Sequence, residues 1–445
     1  MKRIYEVNAY GQAPVASCYW DTTATRPARE GPLTGEATAD VAIVGGGFTG
    51  LSAALHLAGD HGADVAVLEA NSVGWGASGR NGGFACIGGS KLSDAAMLRQ
   101  FGQVGVAEWH KAQAGAADLV ADLLSRHGIE ADTHSFGGEA VLAHRPKDMA
   151  GLRSEAATVS RHFGVKVDVI ERDELAAEGL AGPQFHGAMR VPLGFALNPL
   201  KYVLGLATAA ESAGARIYER SPAVAIRPDG QGGYLVDCGT GRLRAKKLII
   251  ATNGYSSDDL PDWMRARYLP AQSCVLVTRP LTEAEIAAQG WSSDLMAYDT
   301  RRLLHYFRLM PNRQFLFGMR GGVSATPAAH AALKQQIRAH FEAMFPAWAA
   351  VETPHFWSGL VCLARGLVPY AGPIGGWDNA WAGFAYHGNG VLLGSYTGKL
   401  LAGLATGTAK VPAVMAREPG RFPLGGMRRA LLPLAYGWYG LLDGA

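Results

Sequence analysis

The residues best placed to do chemistry stand in one short stretch, Gly45-Gly46-Gly47-Phe48-Thr49-Gly50, and in an acid beyond it, Glu69. Gly45 permits a tight turn, Gly47 lets backbone approach a pyrophosphate with no Cβ in the way, and Gly50 lets a helix pack closely on the strand before it. A phosphate held there meets the free N–H groups and the positive dipole end of a helix. Glu69 lies 19 residues after Gly50, a spacing at which an acid accepts both hydroxyls of an adenosine ribose and repels a 2′-phosphate. The chemistry is recognition of the ADP half of a dinucleotide, with NADP disfavoured.

Such a site needs a strand, a turn, a helix and a second strand, and the 30 residues from Asp40 to Glu69 supply them. Val41-Ala42-Ile43-Val44 suits a parallel strand buried on both faces, Leu51 to Ala58 has helical apolar spacing, and Val65-Ala66-Val67-Leu68 is the second strand. Around this unit, 445 residues exceed a single core and predict two domains. With 48% hydrophobic and 18% charged residues, no long stretch has the composition of disorder. A net charge of +3 with mixed signs leaves no basic stripe, so nucleic acid is not an expected partner. Five scattered cysteines without a Cys-x-x-Cys pair, and a start with no apolar leader region, read as a cytoplasmic protein. The 13 histidines show no HExxH spacing, and no metal is assigned. The apolar stretch Ala430 to Leu442 contains Pro433 and Gly437 and falls short of the ~20 residues that span a bilayer. It is expected to dock on the protein's own body, contact with a membrane surface being the other reading.

NAD and FAD share the ADP half, and three later segments decide between them in favour of FAD. Gly74 to Gly83, with Gly76, Ala77, Ser78, Arg80, Asn81, Gly82 and Gly83, is a loop able to wrap a cofactor at backbone distance. Lys247 to Ile250 is a strand closing on the turn Thr252-Asn253-Gly254, with Ala251 between. Trp381 to Ala385 runs through Tyr386-His387 into the turn Gly388-Asn389-Gly390-Val391 and a helix around Tyr396 to Leu404, which offers a second helix N-terminus.

These segments resemble the D-amino-acid oxidase superfamily of FAD enzymes, and Gly76 to Gly83 resembles the γ-glutamylputrescine oxidase-like amine oxidases within it most. The resemblance extends to Ser17-Cys18-Tyr19-Trp20, Asn198 to Val203, Tyr306-Phe307-Arg308 and the tail Leu434 to Tyr439. It implies an α/β fold: a Rossmann-like FAD domain of the glutathione-reductase type, interleaved with an α+β substrate domain on a mostly antiparallel sheet. The FAD domain is expected over 38–90, 196–260 and 355–420, and the substrate domain over 91–195 and 261–354. Residues 1–37 form a lead-in and 421–445 a tail. Ala70 and Val224, in a strand expected around Ala223–Ile226, join the cofactor contacts. Strands are expected at Glu139–His144, Ser273–Thr278, His305–Met310 and Gln314–Gly318, and helices ending near Gly128 and Gly164.

The family implies hydride transfer from a C–N bond to FAD, commonly with dioxygen as the final acceptor. The substrate is expected to be a small amine or N-substituted amino acid, with a γ-glutamylputrescine-like molecule favoured. An oxidase of glycine, sarcosine or iminodiacetate type, and a flavin-binding subunit without turnover of its own, are the alternatives. Relatives that grip an α-carboxylate use an arginine in Gly-Leu-Arg-Pro, where this chain has Gly359-Leu360-Val361-Cys362. Tyr306 and Arg308, two apart on a strand, are expected to face the flavin, with Tyr255, Tyr386 and His387 lining the pocket. Cys362 lies near the position of a flavin thioether in the similar monomeric sarcosine oxidases, its other reading being a small core residue. Asn389 replaces a histidine found in many relatives.

Overall fold

Val44, Leu68 and Ile250 end their strands at one level of a parallel sheet, because Val44 pairs with both Leu68 and Ile250. A computed structural model describes residues 1–12 and 15–444. Its first sheet runs Tyr370–Pro373, Ala380–Phe384, Gly241–Ile250, Gly35–Val44, Val65–Leu68, Arg216–Tyr218, and the hairpin Ala225–Pro228/Tyr234–Asp237 extends Gly241–Ile250. Ile250 also pairs in parallel with Ala382, so four neighbouring strands release their chains on one edge. Ligands of open α/β sheets bind outside the carboxyl ends of the strands, and this edge is such a place.

Helices Phe48–His61, Pro199–Ser212 and Gly390–Thr406 cover one face of that sheet, with Ile43, Val67, Leu51, Leu200 and Leu401 in a single apolar core. Ser52 Oγ donates to the Ser395 carbonyl at 2.7 Å, tying the first and last of these helices together. The other face packs Ala42, Val44, Leu248 and Ile250 against Trp263, Tyr268 and Tyr370.

A second sheet runs His355–Leu363, Leu269–Val277, Phe315–Arg320, His305–Leu309, Met296–Asp299, Glu139–Leu142, Gly187–Val191, Asp168–Glu171. It is antiparallel throughout except where Met296–Asp299 runs parallel to Glu139–Leu142. Alternation assigns its faces. Phe307, Phe315 and Phe317 turn toward helix Pro327–Met344 and pack with Trp291, Phe341, Phe345 and Trp348, while Tyr306, Gly318 and Arg320 turn the other way.

The expected elements appear with shifted ends: helices Asp94–Arg126 and Asp148–Phe163, strand Glu139–Leu142, and the strands at 269, 305 and 315. Two differ in substance. His355–Leu363 falls in the stretch expected to carry cofactor, yet it hydrogen-bonds to Leu269–Val277 in the second sheet along its whole length. The strand expected around Ala223–Ile226 runs Ala225–Pro228. The tail forms helix Leu431–Asp443, docked through buried Leu432 and through Arg428, which donates to both Asp258 oxygens at 2.7 and 2.9 Å. At its far end Asp443 accepts the N–H groups of Arg302 and Leu303. No helix of the described residues is long and apolar enough to cross a membrane.

Candidate active site

The edge where the four strands end opens into a channel, and glycine sets its narrowest geometry. Gly45 turns at a φ of 112°. A Cβ on Gly50 would stand 1.9 Å from the Gly45 carbonyl oxygen, so only glycine lets helix Phe48–His61 begin this close to the strand. That helix has Gly47 as N-cap and no capping side chain; Phe48 N–H is met by Ser78 Oγ at 3.0 Å. Helix Gly390–Thr406 also starts uncapped; the Asn389 side chain accepts from none of its N–H groups, and its amide donates to the Ile87 carbonyl at 2.9 Å. Two helix N-termini thus border one channel, a setting for negative charge. The Glu69 carboxylate accepts Gly46 N–H at 2.7 Å and Asn71 N–H at 2.9 Å, which holds it over the turn. Asn253 Oδ1 accepts Ala385 N–H at 2.9 Å, joining the turn after Ile250 to the one after Phe384.

The channel is lined by Gly45, Gly47, Phe48 and Thr49, by Glu69 and Ala70, and by Gly76, Ala77, Ser78 and Asn81. Thr252, Asn253, Cys362, Gly388, Gly390 and Val391 line it as well. A second cavity, of about 1910 Å³ with its mouth, takes in Arg80, Gly82 and Asn389. The two meet at a wall shared by Ala77, Asn81, Leu360, Val361, Gly388 and Val391. Gly50, Gly83 and Gly254 line neither, and their absent side chains leave room for close backbone; a Cβ on Gly83 would stand 2.0 Å from the Leu197 carbonyl oxygen. Val224 also lies outside both. It is 43% exposed and gives its N–H to Asp237, while Pro222 and Ala223 reach the channel in its place.

Of the five residues expected around a substrate, Tyr306 alone lines the second cavity, its hydroxyl 3.0 Å from Ser273 Oγ. Tyr255, Tyr386 and His387 line the channel instead. Tyr255 accepts Leu360 N–H at 3.1 Å, and the Tyr386 hydroxyl meets Thr49 Oγ1 at 2.7 Å. His387 is fully buried, with Nδ1 2.8 Å from the Gly89 carbonyl and Nε2 accepting Ala364 N–H at 3.1 Å. Both ring nitrogens are therefore committed to backbone, and burial pushes the imidazole down to about 4. Arg308 does share a face with Tyr306, but it is 0% exposed and lines neither cavity. Nη2 donates to the Leu197 carbonyl at 3.0 Å and Nη1 meets His134 Nε2 at 2.7 Å. The loop through Gly83 lies over it.

The second cavity holds charge that sequence reasoning did not find. Arg320 stands two residues beyond Gly318, the partner of Tyr306, and donates from Nη2 to the His387 carbonyl at 2.6 Å. Lys91 and Glu139 face the same space. Desolvation draws the Lys91 ammonium down to about 8 and pushes the Glu139 carboxyl up to about 8. A carboxyl in the otherwise apolar strand Glu139-Ala140-Val141-Leu142 was a signal available in the sequence. Cys362 packs in the core of the first sheet, and burial pushes its thiol up to about 12, away from the nucleophilic thiolate.

Two variants check these placements. Arg308→Met leaves the Leu197 carbonyl and His134 without their donor and is expected to cost about 1–3 kcal/mol of stability while leaving substrate dependence within about twofold. A large rise in KM at unchanged urea midpoint contradicts the placement. For His387, the ordinary value of 6.5 falls to about 4 on folding, so the unfolded chain takes up the proton first as pH drops. Stability is then full above about 6.5 and declines toward about 4, by about 3 kcal/mol in all for this residue. His387→Gln is expected to flatten the urea-unfolding profile across that window; an unchanged slope counts against a buried neutral imidazole.

The family of FAD dependent oxidoreductases (DAO) matches residues 40–404. The chain is 31% identical to the probable oxidoreductase OrdL of Rhizobium meliloti (strain 1021), over 97% of this chain and 99% of that one. It is 28% identical to the gamma-glutamylputrescine oxidoreductase of Escherichia coli (strain K12), over 96% of this chain and 98% of that one. Among solved structures, glycine oxidase from Geobacillus kaustophilus is similar at a TM-score of 0.71 and 22% identity, covering 86% of this chain and 100% of that one. The channel of glycine turns and helix N-termini fits the diphosphate and ribose of FAD, and with these matches the chain belongs to the DAO family of FAD-dependent oxidoreductases.

Proposed function

We propose that the channel cradles FAD and that the second cavity takes a small amine or N-substituted amino acid, whose C–N bond the protein oxidises. The observation that carries this reading is the shared wall of Ala77, Asn81, Leu360, Val361, Gly388 and Val391, where two cavities of different character meet. Glycine turns, Ser78, Glu69 and Asn253 would hold the cofactor through backbone and small polar groups. Bound there, FAD supplies a two-electron acceptor for hydride.

The protein's own part is to bind, orient and desolvate. Leu360 and Val361 make the meeting wall apolar, which excludes water from the reacting carbon and favours a neutral amine over its ammonium form. Val361 occupies the stretch where carboxylate-gripping relatives carry arginine, which speaks against a simple α-amino acid held at the wall. Lys91, which is no part of that wall, and Arg320, which reaches back to the His387 carbonyl beside it, suit a carboxylate farther along the substrate. A molecule with its amine at the wall and a carboxylate beyond is γ-glutamylputrescine-like, and the similarity to the E. coli gamma-glutamylputrescine oxidoreductase supports that choice. The same two cations are what favours the second reading, an amino acid oxidase of glycine, sarcosine or iminodiacetate type. Dioxygen is the acceptor we assign to the reduced enzyme, and the buried Cys362 thiol supports a flavin held without a covalent bond.

The test is anaerobic mixing of the yellow holoprotein with a panel of amines and amino acids, followed at the ~450 nm absorbance of bound flavin. Bleaching by N-γ-glutamyl diamines, with glycine and sarcosine inert, is expected. Bleaching by glycine and sarcosine alone favours the second reading, and no bleaching by any compound overturns both. Acid precipitation of the same sample is expected to leave flavin in the supernatant over a white pellet; a yellow pellet contradicts the non-covalent assignment.

A further inference from the structure

Glu139 begins a central strand of the second sheet, paired with Met296 on one side and Val191 on the other. Alternation sends Ala140 and Leu142 into the aromatic core and leaves Glu139 on the face that lines the second cavity. The side chain is 2% exposed, and its Oε2 has no hydrogen-bond partner among the described residues. A buried carboxylate without a partner costs several kcal/mol. The Cys86 thiol and Tyr298 lie beside it and Glu155 adds like charge, while Lys91 attracts it without forming an ion pair among the described residues, so Oε2 stays unpartnered. Lys91 is repelled by Arg320 and attracted by Glu139 and Glu155, so charges of both signs meet in this cavity, whose lining also includes Trp109. Glu139 is not part of the wall shared with the channel, from which Cys86 and Asn389 separate it: the Asn389 amide donates to Cys86 Sγ at 3.4 Å.

We propose that Glu139 is the docking point for a second cationic nitrogen of the substrate, so that the cavity selects amines bearing a further ammonium group over monoamines of the same length. This rests on the reading that the second cavity is the substrate's. The unpaired Oε2 awaits a donor; an ammonium supplies that hydrogen bond and favours the ionised form of the carboxyl, whose proton leaves as the pair forms.

Calorimetric titration of the holoprotein with 1,4-diaminobutane and with 1-aminobutane tests this without relying on turnover. The diamine is expected to bind the wild-type protein at least about tenfold more tightly than the monoamine. Glu139→Gln is expected to remove that preference while monoamine affinity holds, and Glu139→Asp to keep part of it. Flavin absorbance and near-ultraviolet circular dichroism report that each variant is folded, and the wild-type comparison decides the matter alone if one is not. Equal affinities in the wild type, absence of diamine binding, or a preference that survives Glu139→Gln overturns the proposal. A flavin that no amine bleaches sinks the reading of the reaction, whereas the calorimetric preference stands or falls separately.

Discussion

The contact on which the site depends is the approach of helix Phe48–His61 to the strand before it, at a distance that leaves no room for a Cβ on Gly50 beside the Gly45 carbonyl. Because the helix begins there, its N-terminus, where Ser78 meets only the Phe48 N–H, opens onto the channel rather than onto solvent above the sheet. Because Val44, Leu68, Ile250 and Phe384 finish their strands along one edge, the Glu69 carboxylate, the Thr252-Asn253 turn and the Tyr386 to Val391 turn arrive at the same place. The hydrogen bond from Ala385 N–H to Asn253 Oδ1 and the contact of Tyr386 with Thr49 tie those turns to one another. An elongated ligand in this channel touches chain segments hundreds of residues apart.

The two cavities divide the chemistry by kind of group. The channel is made of backbone N–H, glycine and small polar side chains, which suit phosphates and hydroxyls that every FAD presents alike. The second cavity is made of charged and aromatic side chains, Lys91, Arg320, Glu139, Trp109 and Tyr306 among them, which suit discrimination between substrates. Their shared wall is apolar at Leu360 and Val361. On the proposed reading, a reaction at this wall would leave the protein's charges to bind and orient rather than to exchange protons with the reacting carbon.

Much of the fold was legible because its signals are local. A β-branched run, glycines at fixed spacing and an acid on the next strand specify the β-α-β unit within 30 residues. Period two in His305–Leu309 told correctly that Tyr306 and Arg308 share a face. It could not tell that the Leu197 carbonyl and the loop through Gly83 would cover Arg308, since those come from segments more than 100 residues away. The same limit hid Lys91 and Arg320, which converge only through tertiary packing. His387 beside its glycine turn does line a cavity, but the channel rather than the second one, and only the fold shows that Gly89 and Ala364 occupy both of its nitrogens. Residues 355–363 fall in the stretch expected to carry cofactor, and nothing local to them shows that they pair along Leu269–Val277 in the second sheet.

The central claim is that the channel recognises the ADP half of its ligand at the Gly45 to Glu69 end, and apoprotein stripped of flavin can test it directly. Thermal unfolding followed during titration should show the midpoint rising steeply with FAD and scarcely with FMN, which carries the same flavin and one phosphate but lacks the adenosine. Equal stabilisation by FAD and FMN, or none by either, would contradict the account.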